Sequence, residues 1–250
     1  MAYRLPAKLG KAPVVEVTFE VRFSPAKEST GDVLIGLLYS KFPDYQKVET
    51  LPVAAVPRDV RDNDPNLRYL ASHRLSTGAK SINVGDRVVV VSDGGPYQGW
   101  RDFLPHIAKV LDVVRQTGLA QTVERYSLKF VNVLPPRDGK QLEQINGRFE
   151  IAGRLAPEQG FRFRTEIVSG NFTTIIELIP NARTTSQTES REGLLVLVDT
   201  IRMLSVEDIW DNSIPRLDEL HELLKSAFFE LLTVETINSL DPVWEHHDLH

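Results

Sequence analysis

Positions 15 to 23 alternate without a break. Val15, Val17, Phe19, Val21 and Phe23 share one side, and Glu16, Thr18, Glu20 and Arg22 the other. Strict period two of this length predicts a half-buried strand, ended by Pro25. Gly31-Asp32 then opens a short helix with Leu34, Leu37 and Leu38 inward, stopped before Pro43. Further strands are expected at about 47–56, 67–75 and 80–91, and the run Val88-Val-Val-Val91 marks one buried on both faces. After the turn at 93–99, Trp100 leads into an amphipathic helix through Phe103, Ile107, Val110, Leu111 and Val114, with Gly118 as its C′ residue. Pro105 suits the first turn if Asp102 is the N-cap, and kinks the helix if Gly99 is.

A second pass begins at Val123. Tyr126, Leu128 and Phe130 alternate against Arg125, Ser127 and Lys129, and the phase slips at Val131, which predicts a bulge or a strand end beside Asn132. Leu134-Pro-Pro-Arg-Asp-Gly139 is the internal boundary. A meander is expected at 144–155, 160–168 and 171–179, then a buried strand from Leu194 towards Leu204. Between them, 180–193 reads as a long polar loop without structure, a length uncommon inside compact domains. Ile214, Leu217, Leu220, Leu224, Phe228 and Leu231 stripe the longest helix, with Pro215 in its first turn. Thr233 caps a last short helix, ended by Asp241-Pro242.

The order of elements recurs, with a long strand, shorter strands, a Trp and an amphipathic helix in each pass. The expected fold is therefore α+β, with antiparallel or mixed sheets covered by two long amphipathic helices at about 101–117 and 214–232. The halves, 1–134 and 135–250, are two similar units or one continuous domain. Duplication of a ferredoxin-like unit accounts for the order, although residue identity between the halves is slight and the second lacks a helix matching 31–42.

Composition narrows the partners. The 250 residues carry no cysteine, which excludes disulfides, thiolate metal sites and cysteine nucleophiles. A net charge of −5 argues against sequence-independent nucleic-acid binding, which needs phosphates neutralised, although a local basic face survives that argument. No apolar run reaches membrane-spanning length, and residues 1–8 lack the apolar core of a secretory signal, so a cytoplasmic location without membrane attachment is expected.

Four motifs in order resemble one family. Pro13-Val-Val-Glu-Val-Thr-Phe-Glu-Val-Arg-Phe23, Tyr97-Gln-Gly-Trp100, Arg125-Tyr-Ser-Leu-Lys-Phe-Val-Asn132 and Leu220-His-Glu-Leu-Leu-Lys-Ser-Ala-Phe-Phe-Glu-Leu-Leu-Thr233 are similar to those of a sporadically distributed family of uncharacterised prokaryotic proteins of about this length. The resemblance covers nearly the whole chain. It implies no settled activity, and its patchy distribution is that of genes on mobile or defence-related islands. The family's strand typically carries Arg where this chain has Lys129, so a bidentate contact there would be lost.

Candidate chemistry is sparse. Arg125 and Lys129 point the same way on one strand with Asn132 nearby, an arrangement that could hold a phosphate or carboxylate or be an ordinary solvated face. Tyr97, Trp100 and Trp210 are either an aromatic wall for a ligand or packing anchors. The turn Gly94-Gly-Pro-Tyr-Gln-Gly99 precedes a helix but has neither P-loop nor dinucleotide spacing. Glu16 and Glu20 lie ~13 Å apart at strand rise, too far to pair for acid–base work. His246, His247 and His250 at the chain end could collect a metal adventitiously. Asp199 is the best lone acid, at the end of a buried strand.

No catalytic constellation and no cofactor motif emerges. The leading expectation is a non-enzymatic binding or adaptor protein in a larger complex, in a genome-defence setting, with a protein partner or a second copy of itself. The alternatives are a sensor or enzyme for a small anionic ligand, held through Arg125, Lys129, Asn132, Tyr97, Trp100 and Asp199, and an RNA-binding or RNA-processing protein.

Overall fold

The computed structural model describes residues 5–185, 190–203, 209–210 and 212–244. In chain order the elements are β1 (Lys8–Leu9), β2 (Val14–Pro25), α1 (Thr30–Lys41), β3 (Lys47–Thr50), α2 (Arg58–Asn63), β4 (His73–Thr77), β5 (Lys80–Val84), β6 (Val88–Asp93) and α3 (Trp100–Gln116). Then come β7 (Ala120–Leu134), β8 (Glu150–Ile151), β9 (Arg154–Leu155), β10 (Phe163–Ser169), β11 (Phe172–Thr185), β12 (Ser190–Met203), α4 (Ser213–Leu231), α5 (Val234–Ser239) and β13 (Pro242–Val243).

Nine strands form one antiparallel sheet in the order β10-β11-β12-β7-β2-β6-β5-β4-β3. The two longest alternating runs of the chain, β2 and β7, pair at its middle, with Phe19 opposite Leu128. Val17, Phe19, Val21 and Phe23 are fully buried on one side of β2. A slip of one residue would drive Glu16, Thr18, Glu20 and Arg22 into that core, so the pattern alone sets the register. The core face is covered by α1, α3 and α4, with α3 packed between the other two. Phe103, Ile107, Val110, Leu111 and Val114 of α3 all point into it.

The structure thus has an α+β fold built on antiparallel pairing, with five α-helices among the described residues. β7 ends at Leu134, and the sheet runs through this position unbroken because β7 pairs with β2 on one edge and with β12 on the other.

Several expectations are corrected. Of the polar stretch 180–193, residues 182–185 and 190–193 form a β-ribbon that extends β11 and β12, with Ala182, Arg183, Thr184 and Thr185 opposite Gly193, Glu192, Arg191 and Ser190. Its polarity reflects two solvated faces, and the Arg183–Glu192 ion pair at 2.7 Å crosses it. Residues 186–189 lie outside the described residues. The expected strand at 67–75 is mostly turns, held by Leu67 N–H to Asp64 O and Leu70 N–H to Leu67 O, and extended structure starts at His73. Pro52 starts a turn of 3₁₀ helix where the strand expected at 47–56 was to continue, so β3 stops at Thr50. Likewise 144–155 adds nothing to the large sheet, since β8 and β9 form a separate hairpin exposing Ile151 and Leu155.

The phase of β7 does not slip. Asn132 continues the inward series of Tyr126, Leu128 and Phe130, and the register shift opposite it belongs to Val15 on β2. Gly99 is the N-cap of α3, so Pro105 lies inside the helix and removes one backbone donor from its second turn.

Thr233 does cap α5, accepting the Thr236 N–H at 3.2 Å, while the Thr236 hydroxyl donates to Gln144 O at 3.0 Å. Thr233→Ala should cost about 1 kcal/mol in urea unfolding, as lost N-caps do. A loss of a few tenths would mean that Gln144 alone holds the α5 turn.

Candidate functional site

The alternation that builds the core also builds an uncovered face. One cross-strand row runs Asp199, Lys129, Thr18, Ser92, Ser81 and Ser76 through six adjacent strands. The next runs Ser127, Glu20, Val90, Asn83 and Arg74. On the other side of the first row lie Leu197, Val131 and Glu16. Among the described residues no α-helix is packed extensively over these rows, whose side chains are small or half-buried.

Charges on this face are paired, both along β2 and across strands. Arg125 donates to Glu20 at 3.2 Å, Arg22 donates to the same carboxylate at 2.7 Å, and Lys129 sits 3.5 Å from Glu16. The Arg22 guanidinium also lies 4.5 Å above the Tyr69 ring, and the Tyr69 hydroxyl donates to Glu124. Asp199 stands apart. Its Oδ1 is shielded from solvent and has no hydrogen-bond partner. Burial pushes its carboxyl up to about 6, outweighing Arg125 and Lys129, which pull it down, while Glu20 adds to the rise.

A groove of about 810 Å³ crosses this face towards the β11–β12 ribbon. Lys47, Arg74 and Lys80 line one side and Thr184, Thr185 and Arg191 the other, with Glu16, Val131 and Ser81 between. Arg191 also donates to Ala12 O at 2.9 Å, which ties the ribbon to the chain segment before β2.

The proposed ligand residues divide between the two faces of the sheet. Arg125, Lys129 and Asp199 come together on the uncovered one. Asn132 points the other way, is 2% exposed and donates to Val196 O at 3.2 Å. It shares the helix-covered side with Tyr97, whose ring meets Phe130 edge-on at 5.5 Å, and with Trp100. The Trp100 indole donates to Asp218 at 2.7 Å and stacks on His221 at 4.3 Å. Burial pulls the His221 imidazole down to about 4. Trp210 is remote from this pair, packed edge-on against Phe23 at 6.3 Å and donating to Gln121 O. Tyr97, Trp100 and Trp210 therefore do not form one wall.

A second cavity, of about 260 Å³, lies beside Tyr97, Trp100 and Asn132, closed by α4 and the segment leading into β2. Sequence reasoning missed His221 and Lys225 as part of its lining, although both fall inside a motif it had quoted. What hid them is that they face β7 only after α4 folds back over the sheet.

The glycine turn offers no anion cradle. Gly94 N–H is taken by Ala79 O and Gly95 N–H by Asp93 Oδ1, both at 2.9 Å. The terminal histidines lie outside the described residues. Among the described residues no group of three His, Asp or Glu is placed to hold a metal ion, and no helix is long and apolar enough to cross a membrane. No protein-family model matches this chain, and no curated protein matches it.

Proposed function

We propose that this protein is a non-enzymatic binding module that docks a partner protein on the uncovered face of its sheet. The observation that carries this reading is the state of the charges there. Arg125, Arg22 and Lys129 are each within ion-pair distance of Glu20 or Glu16, beside half-buried Val131 and Leu197. A phosphate-reading surface keeps its cations free, whereas a mixture of internally paired ions and apolar side chains suits a protein interface. The same pairing weakens the small-anion reading, because Asn132 faces away and Arg125 and Lys129 already have carboxylate partners.

The sheet order supports descent from a duplicated unit. Strands β3 to β6 spread from β2 on one side and β10 to β12 from β7 on the other, with α3 and α4 following their respective meanders. The same proposal puts the complex in a cytoplasmic defence setting, a reading supported by the resemblance to a sporadically distributed prokaryotic family.

The test is native mass spectrometry of the protein isolated from its own host under minimal washing, with Leu197→Asp alongside. A stoichiometric protein partner is expected for the wild type and should be lost in the variant, whose cooperative melting curve would verify that it still folds. A partner retained by Leu197→Asp, or RNA as the retained species, would move the site elsewhere.

A further inference from the structure

The cavity of about 260 Å³ on the helix-covered side has a lining unlike the rest of the molecule. Its walls are mostly apolar and include Val14, Phe130, Leu224 and Phe228. Among its lining residues there is no Asp or Glu, although the chain as a whole carries a net charge of −5. Lys8 and Lys225 both line it, from β1 and from α4. Neither has a carboxylate within ion-pair distance among the described residues. Of the acids nearest along α4, Asp218 accepts from the Trp100 indole and Glu222 lies 3.5 Å from the His221 ring. The Asn132 side chain adds an amide beside Phe130.

An apolar chamber with two unpaired ammonium groups and no acid selects an apolar body carrying one negative charge. Desolvating a carboxylate is costly unless it is paired and hydrogen-bonded, and the two lysines supply the pairing. The volume falls just below the ~300–1,000 Å³ of drug-sized pockets, so the ligand is a short one of about ten non-hydrogen atoms. We infer that this cavity binds a small apolar monocarboxylate, its chain or ring between α4 and β7 and its carboxylate between Lys8 and Lys225. The site lies on the opposite side of the sheet from the docking face and is independent of it.

The probe is octanoate, with octanamide and acetate as matched controls, titrated calorimetrically into the full chain. Octanoate should bind saturably with a dissociation constant on the order of 0.1 mM, the range open to a ligand of about ten atoms. Octanamide, which lacks the charge, and acetate, which lacks the body, should each bind at least tenfold more weakly. Lys8→Gln combined with Lys225→Gln should weaken octanoate about tenfold and leave octanamide unchanged. Both lysines lie at least partly in solvent, so the variant should fold, which its melting curve would verify. In a ¹⁵N-resolved spectrum the Trp100 indole resonance, assigned by its loss in Trp100→Phe, should move on titration. The inference is overturned if octanoate fails to saturate, if octanamide binds equally well, if the double variant binds octanoate as tightly, or if the Trp100 resonance stays still.

Discussion

Replacing Gly193 by alanine should destabilise the chain by about 3 kcal/mol or more, among the largest effects available to one added methyl group. A Cβ built at Gly193 would lie 1.9 Å from Leu134 O, 3.1 Å from Leu134 C and 3.3 Å from Pro135 C. All three are backbone atoms, so no side-chain rotation relieves the clash. The backbone φ of 153° there is also one that L side chains rarely adopt. Relief requires β12 to move away from the end of β7, which breaks the pairing of Leu194 with Leu134 and loosens the root of the ribbon. For a chain of this size, 3 kcal/mol corresponds to roughly 6–12 °C in melting temperature. Gly36→Ala is the matched control. That glycine is exposed in α1, its Cβ would meet nothing within 4 Å, and alanine should stabilise the helix by about 0.5–1 kcal/mol. Equal melting temperatures for the wild type and Gly193→Ala would show that the ribbon does not approach β7 as described.

Asp199→Asn should act with the opposite sign and only above mildly acidic pH. In the folded chain the Asp199 carboxyl is raised from 3.8 to about 6, first by burial. Between those two values the folded protein holds a proton that the unfolded chain has released, so stability falls as pH rises through the window and then levels off. At about 1.4 kcal/mol per unit, the full window is worth at most about 3 kcal/mol. Asparagine removes the titration while keeping the shape. The variant should therefore match the wild type near pH 4 and exceed it by about 1–3 kcal/mol at pH 8. Urea unfolding of both proteins from pH 4 to pH 8 measures the difference and cancels every group the two share. Parallel pH profiles would mean that Asp199 ionises freely in the folded state. A docked partner that pairs Asp199 with a cation should reverse the sign, making aspartate preferable in the complex.

The Val88–Val91 run is not buried on both faces, since Val90 is only half-buried on the open one, but the inward face of β2, most of the α3 and α4 stripes and the Thr233 cap were legible in the sequence. Each depends on periodicity or on a local hydrogen bond, and both are properties of consecutive residues. The same alternation placed Glu16, Glu20, Arg125 and Lys129 outward before any strand was paired. Which of them would meet could not be read, because Arg125 and Glu20 are 105 residues apart and join only through the β2–β7 register. The 180–193 stretch was misread for a related reason. Its residues carry no apolar alternation, since a ribbon solvated on both faces needs none, and only pairing across the hairpin makes it a strand. Asn132 shows the limit most plainly. A polar residue in an apolar series reads as a break in phase, yet Val196 O supplies a partner that lets it stay buried. Sequence by itself determined the inward face of β2 and most of the apolar stripes of α1, α3 and α4, while Leu37 and Ile214, expected inward, are exposed. Tertiary structure alone decided which charges are neutralised, which are left free beside an apolar cavity, and which face of the sheet is left open, because each of these depends on cross-strand register and on how the helices pack over one face.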